Sequence, residues 1–100
     1  MLLAELKGKV DEAEVLVIKQ QNFVDYIQGR IDRGDEYVEV MVDGVVSNQD
    51  IHQFQTTSKA TLANYTKNFQ ALSSMHDKLQ ALLDDFVASL IKTDIGASNV

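Results

Sequence analysis

The sequence predicts a mainly α-helical fold in which two long antiparallel helices are joined by a short β-hairpin, in a coiled-coil-like or bundle-like arrangement. Apolar residues recur every three or four positions through both halves of the chain, proline is absent, and an Asp-Gly pair follows alternating valines near the middle. A spacing of three and four places apolar side chains along one helix face, and a proline inside a helix would cost about 3 kcal/mol. The 100 residues are expected to form one domain.

The first helix is expected at about residues 2–32, where a single apolar stripe runs without a break. Its positions are Leu3, Leu6, Val10, Ala13, Val17, Gln20, Val24, Ile27 and Ile31. Gln20 is the one polar member of this series, and two roles for it are open. A buried polar side chain can fix the register in which helices pair or the number of helices that associate. Alternatively, Gln20 lies in a polar layer with a water molecule or with a polar residue of the second helix, namely Ser58, Thr61 or Asn68.

The middle of the chain, at about residues 37–47, is expected to form the hairpin. Three valines would share one face of the first strand: Val38, Val40 and Val42. Asp43-Gly44 follows them, and this dipeptide is the strongest short-range signal for a two-residue hairpin turn. Because an isolated two-stranded ribbon is marginally stable in water, we expect the valines to pack on the helices or to pair with the ribbon of another chain.

The second helix is expected at about residues 48–92, with Ser47 and Asp50 as a weak capping box at its start and residues 94–100 as a frayed tail. Its predicted seam consists of Ile51, Phe54, Ser58, Thr61, Tyr65, Asn68, Leu72, Met75, Leu79, Leu82 and Phe86. A second apolar row repeats every seven residues beside the seam: Leu62, Phe69, His76, Leu83 and Leu90. An apolar surface of this width is typical of a helix in a bundle.

The two helices differ in length, and we expect the longer one to leave an apolar tip uncovered. At 1.5 Å per residue they would span about 45 Å and about 65 Å, so the second would extend about 20 Å beyond the first. The tip residues expected to form an interface are Leu82, Leu83, Phe86, Leu90 and Ile91. Leu16 and Phe23 widen the stripe of the first helix and are further interface candidates. Since a large exposed apolar patch usually marks an interaction surface, an oligomer is expected.

The composition excludes several classes of site. The chain has no cysteine, which rules out disulfides and thiolate chemistry. Its net charge is −6, with eleven acidic and five basic residues in the first half, so direct binding of nucleic acid is not expected. There is no apolar run of about 18 residues and no signal-peptide pattern at the N-terminus. We therefore expect a location in the cytoplasm or within a macromolecular assembly, without a membrane span.

No catalytic, metal-binding or cofactor-binding residues emerge from the pattern, and no small-molecule substrate is expected. His52 and His76 would lie about 36 Å apart along one helix, too far to share a metal ion within one chain. Residues 39–50 place Gly44 where a calcium loop needs glycine, but Met41 stands at a position that needs an oxygen ligand.

The sequence therefore predicts a non-enzymatic structural protein, a self-associating helical subunit of a homo-oligomer or of a larger assembly such as a virion or a secretion machine. Its partners would be copies of itself or other protein subunits. The alternative is a small acidic binding module, such as a chaperone, an antitoxin-like partner or an inhibitor, for a basic protein. Recognition would then fall to acidic residues of the first half: Asp11, Glu12, Glu14, Asp25, Asp32, Asp35 and Glu36. Only the acidic interface should weaken at about 1 M salt, where the Debye length is about 3 Å.

Overall fold

The computed structural model describes the backbone of residues 2–98 and the side chains of residues 2–92. In chain order it contains α1 (Leu3–Asp32), β1 (Tyr37–Val42), β2 (Val45–Asp50) and α2 (Ile51–Ser98). The helices run antiparallel and are joined by a two-stranded antiparallel hairpin, so the predicted mainly helical architecture is confirmed. The molecule is elongated, with extents of 78 × 29 × 14 Å.

α1 packs against α2 through the stripe that the sequence predicts. Every stripe position is buried or half-buried, whereas the remaining residues of α1 are exposed apart from the half-buried Arg30. The most deeply buried members of the stripe are Leu6, Val10, Ala13, Val24 and Ile27. Because full burial of a large aliphatic side chain is worth about 1.5–3 kcal/mol, this stripe supplies most of the attraction between the helices.

α1 ends in a Schellman motif, a pair of main-chain hydrogen bonds that closes a helix C-terminus. Gly34, whose φ is 91°, donates to the carbonyl of Ile31 at 2.9 Å, and Asp35 donates to that of Arg30 at 3.1 Å. Glycine is favoured at this position because other residues rarely adopt positive φ. The Arg30 guanidinium then donates to the Asp35 carboxylate at 2.9 Å and to the carbonyl of Tyr37 at 3.2 Å. These bonds tie the end of α1 to the start of β1.

The hairpin turns at Asp43 and Gly44, as predicted. Both residues have positive φ, 51° and 78°, which is the backbone geometry of a type I′ turn. The strands pair along the whole length of β1, from Tyr37 opposite Asp50 to Val42 opposite Val45.

The predicted end of the hairpin at residue 47, the predicted helix start at residue 48 and the capping box at Ser47 are wrong. Ser47 lies inside β2, where strand pairing continues to Asp50. The Asp50 carboxylate accepts hydrogen bonds from the main-chain N–H groups of His52 at 2.9 Å and Gln53 at 3.0 Å. Asp50 is therefore the residue that caps α2, because it satisfies two donors that the first turn of a helix leaves free.

The hairpin packs against the joined ends of the helices through a small apolar core. The buried members of this core are Ile27, Val38 and Ile51, and the partly buried side chains packed against them are Ile31, Val40 and Phe54. The N–H of Ile51 also donates to the carbonyl of Glu36 at 3.0 Å. This core holds a ribbon that would be marginally stable by itself.

The face of α2 that meets α1 shifts by one residue along the helix, so the predicted seam is wrong in its second half. Ile51 and Ser58 are buried as expected. Farther along, half-buried positions include Phe69, Ser73, His76 and Gln80. The predicted seam residues that are instead exposed are Asn68, Met75, Leu79, Leu82 and Phe86. A helix drifts by about 20° per heptad relative to a strict seven-residue repeat, so over four heptads the facing position moves by nearly one residue.

α2 extends to Ser98, whereas the sequence predicted a helix ending near residue 92. The frayed tail expected at residues 94–100 lies outside the side chains that the structure describes.

Candidate functional site

An exposed apolar surface covers the distal part of α2. We call it the distal face, and it consists of Met75, Leu79, Leu82, Leu83, Phe86 and Leu90. The exposed fraction of these side chains runs from 43% for Leu79 to 64% for Leu82. Val87 and Ile91 border the distal face and are also exposed. The distal face therefore contains four of the five tip residues that the sequence singled out, and Ile91 lies at its margin.

The outer part of the distal face, from Leu82 to Leu90, is exposed because α1 is too short to cover it, whereas Met75 and Leu79 lie level with α1 on a side of α2 that is turned away from it. α1 has 30 residues and α2 has 48, so α2 extends about 27 Å farther. Counting outward along the antiparallel pair from the contact between Gln20 and Ser58 places the first turns of α1 beside the stretch of α2 that contains Asp77. The pKa of Lys7 is raised, mainly by the hydrogen bond to Asp11, and Asp77 adds a smaller rise across the helix pair. Beyond Gln80, every described side chain of α2 is exposed, as expected where no helix of the same chain packs against it.

The distal part of α2 is strongly amphipathic. At about 100° per residue, the distal face spans roughly one third of the helix circumference, and Val87 and Ile91 widen the apolar arc to about one half. The charged residues of this segment lie on the opposite arc: Asp77, Lys78, Asp84, Asp85 and Lys92. An apolar arc that is this wide and this continuous is typical of a helix packed in a bundle, and it usually marks an interaction surface when exposed.

The candidate residues of α1 lie on the same side of the molecule as the distal face. Leu16 is 44% exposed and Phe23 is 39% exposed. The Phe23 ring packs edge-on against the Phe54 ring of α2, with centroids 5.8 Å apart. Phe54 lies within about 60° of Met75 around the α2 axis. Because Phe23 contacts Phe54, Phe23 and the distal face are exposed on a similar side of α2.

The three candidate valines of β1 occupy different environments. Val38 is buried in the core formed with Ile27 and Ile51, Val40 is half-buried beside it, and Val42 is 55% exposed. Val38 therefore stabilises the chain's own fold, and only Val42 presents much of its surface to a partner. The sequence did not single out its neighbours at the hairpin tip, which are also exposed: Met41, Val45 and Val46.

Gln20 lies in the interface between α1 and α2. Its side-chain amide donates a hydrogen bond to the main-chain carbonyl of Ser58 at 3.1 Å, and Ser58 is 5% exposed. This is the polar layer near Ser58 that the sequence allowed. The bond links a defined residue of one helix to a defined residue of the other, whereas a role in choosing the pairing register remains a prediction.

Five of the acidic candidate residues lie on the exposed surface of α1, and the other two, Asp35 and Glu36, lie in the loop between α1 and β1. Several are engaged within the chain: Lys7 pairs with Asp11 at 3.0 Å, Gln21 donates to Asp25, and Gln28 donates to Asp32. Asp35 is held by Arg30, whose hydrogen bond lowers the pKa of the Asp35 carboxyl, and Arg33 adds to this effect. Glu12, Glu14 and Glu36 are also exposed.

The histidines of the described part of the chain lie apart from any cluster of acidic side chains. Within this part of the chain, no three His, Cys, Asp or Glu side chains are grouped closely enough to hold a metal ion. His52 is exposed, and His76 is half-buried with its Nδ1 atom 3.8 Å from the Asp77 carboxylate. None of the described helices has both the length and the apolar character needed to cross a bilayer.

Met75 and Leu79 are the surface residues that the sequence-based prediction placed wrongly, because it assigned them to the contact with α1. The helical period of 3.6 residues could have identified these two residues as exposed. Counting 3.6 residues per turn from Ile51 places Gln80 rather than Leu79 towards α1.

Comparison of the chain with models of known families, with curated proteins and with solved structures finds no match.

Proposed function

We propose that this protein is a non-enzymatic structural subunit that associates through the distal face of α2, either with copies of itself or within a larger multi-protein assembly. The observation that carries the proposal is the exposure of this continuous apolar surface at the end of an amphipathic helix. A virion or a secretion machine is a context that suits a small helical subunit of this kind.

The energetics favour a partner on this surface. Burying the exposed half of a leucine or phenylalanine side chain gains about 1 kcal/mol. When two such faces meet, about a dozen half-exposed side chains contribute, which is comparable with the 4–15 kcal/mol that association costs in lost freedom of motion. Left in water, the same surface would promote nonspecific aggregation.

The test is the solution mass of the purified chain by light scattering, at low salt and at about 1 M salt, where the Debye length is about 3 Å. We compare the wild type with the double variant Phe86→Asp/Leu90→Asp. The matched control is Ala81→Asp/Ala88→Asp, which adds the same charges on the opposite, exposed arc of α2. We expect a salt-resistant oligomer that only the first double variant dissociates. A wild type that is a folded monomer in both salts would contradict self-association.

A second candidate function rests on the exposed acidic residues of α1, and it is a binding module for a basic protein. Val15 and Leu16 are exposed beside Asp11 and Glu12, so an acidic surface there also offers apolar contacts. This candidate predicts a monomer that retains one basic partner during purification and loses it at high salt. Replacing Asp11 and Glu12 with asparagine and glutamine would weaken that complex, whereas Phe86→Asp/Leu90→Asp would not.

A further inference from the structure

We infer that the distal face binds the distal face of a second copy of this chain, with the two α2 helices antiparallel and centred between residues 80 and 81. This inference rests on the proposed function and specifies its partner and geometry. It follows from the order of charged and apolar residues along the distal part of α2.

The distal part of α2 has one apolar seam and two different edges. The seam is formed by Met75, Leu79, Leu82 and Phe86, at steps of four, three and four residues. One edge carries a charged residue every seven positions: Lys78, Asp85 and Lys92. The other edge carries Leu83 and Leu90 at the same spacing. Residues on such edges choose the partner and the orientation of a helix pair.

The edges favour an antiparallel pair. In a parallel pair, the charged edge of one helix faces the leucine edge of the other, so Asp85 would lie against a leucine side chain. In an antiparallel pair related by a two-fold axis, each edge meets the same edge of the partner. The leucine edge of each helix then faces the same edge of the other helix, and the two charged edges face each other.

The charges also select one register. With the axis between residues 80 and 81, Leu79 lies opposite Leu82 of the second copy, and Met75 lies opposite Phe86. Lys78 then lies beside Asp85 of the second copy, and two-fold symmetry repeats this pair. The two central layers of the seam are apolar, and both contacts on the charged edge join opposite charges. On the other edge, Leu83 lies beside His76 of the second copy.

Shifting the helices by one heptad in either direction removes this match. A shift that shortens the overlap places Asp85 beside Asp85 and Lys78 beside Lys92. A shift that lengthens it places Lys78 beside Lys78. Like charges held opposite each other are unfavourable, so the two neighbouring registers are disfavoured.

α1 leaves room for this partner. His76 and Gln80 are half-buried, so they mark the side of α2 that faces α1. That side adjoins the leucine edge, whereas the edge with Lys78 and Asp85 lies away from α1. A second α2 helix on the distal face would therefore pack next to α1, as neighbouring helices do in a bundle.

A lipid surface is the competing occupant of an exposed amphipathic helix. Helices that lie on membranes usually carry a polar face rich in lysine and arginine. Here the polar arc holds Asp77, Asp84 and Asp85 against Lys78 and Lys92, so its net charge is negative. This composition favours a protein partner with the same pattern over anionic lipid.

The test uses charge reversal at the paired positions in the full-length chain. Lys78→Asp and Asp85→Lys each replace two attractive contacts per dimer with two repulsive ones. We expect each single variant to raise the dimer dissociation constant roughly ten-fold at low salt, measured by sedimentation equilibrium. The double variant Lys78→Asp/Asp85→Lys restores opposite charges at both contacts, so its dissociation constant should return towards that of the wild type.

Mixing the two single variants provides the sharpest readout. In the mixed pair, both contacts again join opposite charges, so heterodimers should exceed the statistical one-half in native mass spectrometry. A statistical mixture, together with single variants that dimerise like the wild type, would overturn this register while leaving self-association intact. A wild type that stays monomeric without lipid would overturn the proposed self-association itself.

Discussion

The side-chain amide of Gln20 donates a hydrogen bond to the main-chain carbonyl of Ser58 at 3.1 Å, and thereby joins the middle of α1 to α2. The Ser58 carbonyl lies inside a helix, so it keeps its ordinary helical donor if Gln20 is replaced. We expect Gln20→Leu to raise the free energy of unfolding by about 1 kcal/mol, because it adds apolar surface at a half-buried position without leaving a polar group unpaired. Urea unfolding followed by circular dichroism measures this change. The control is Gln21→Leu, at an exposed position; a loss of stability in Gln20→Leu would show that the amide bond outweighs apolar burial.

Ile27 is fully buried where the hairpin meets the helices. Ile27→Ala should lower the free energy of unfolding by about 2–5 kcal/mol, because it removes apolar contacts and leaves a cavity. Ile18→Ala is the matched control on the same helix, since Ile18 is 51% exposed. Equal losses in the two variants, measured by chemical denaturation at one protein concentration, would contradict the placement of the core at the hairpin junction.

Two glycine substitutions should change the free energy of unfolding in opposite directions. A Cβ atom at Gly8 in α1 would meet open space, so Gly8→Ala should raise the free energy of unfolding by about 1 kcal/mol through helix propensity. Gly44 also has open space around it but a φ of 78°. Gly44→Ala should lower stability by about 1 kcal/mol, because a side chain disfavours positive φ. Thermal unfolding of both variants checks the pair, and a stabilising Gly44→Ala would be inconsistent with the turn geometry.

The contact between Arg30 and Asp35 should make stability depend on pH in the acid range. The hydrogen bond from Arg30 lowers the pKa of Asp35 below its ordinary value. Its stabilising contribution is therefore fully present above the carboxyl pKa of the unfolded chain, about 3.9, and is lost as the pH falls through the lower folded value. The unfolding midpoint of Asp35→Asn should fall less steeply than that of the wild type below about pH 4. Parallel profiles would contradict a role for this carboxylate.

The stripe of α1 could be predicted residue by residue, because a helix packed on one partner obeys a simple three-four spacing. The turn at Asp43 and Gly44 was equally predictable, since few dipeptides tolerate positive φ at both positions. The start of α2 was not predictable in this way. Ser47 is a reasonable helix cap by residue type, but its pairing with a residue of β1 keeps it in an extended strand. Local propensity does not report such pairing across a hairpin.

The distal face was only partly predictable. Leu82 and Phe86 follow from the difference in helix length, whereas the exposure of Met75 and Leu79 depends on how closely α2 follows a seven-residue repeat. That is a property of the packed helix pair rather than of the sequence of one helix. Val38 was expected to pack on the helices or to pair with the ribbon of another chain, and its burial against Ile27 and Ile51 agrees with the first of these expectations.

The most direct test of self-association is the molar mass of the wild-type chain by sedimentation equilibrium over a wide range of concentrations, since a self-associating protein gains mass with concentration. Self-association predicts a reversible rise from 11.1 kDa for one chain to at least twice that mass, which persists at high salt. A mass that stays at 11.1 kDa at every concentration, with the helical structure intact, would contradict it.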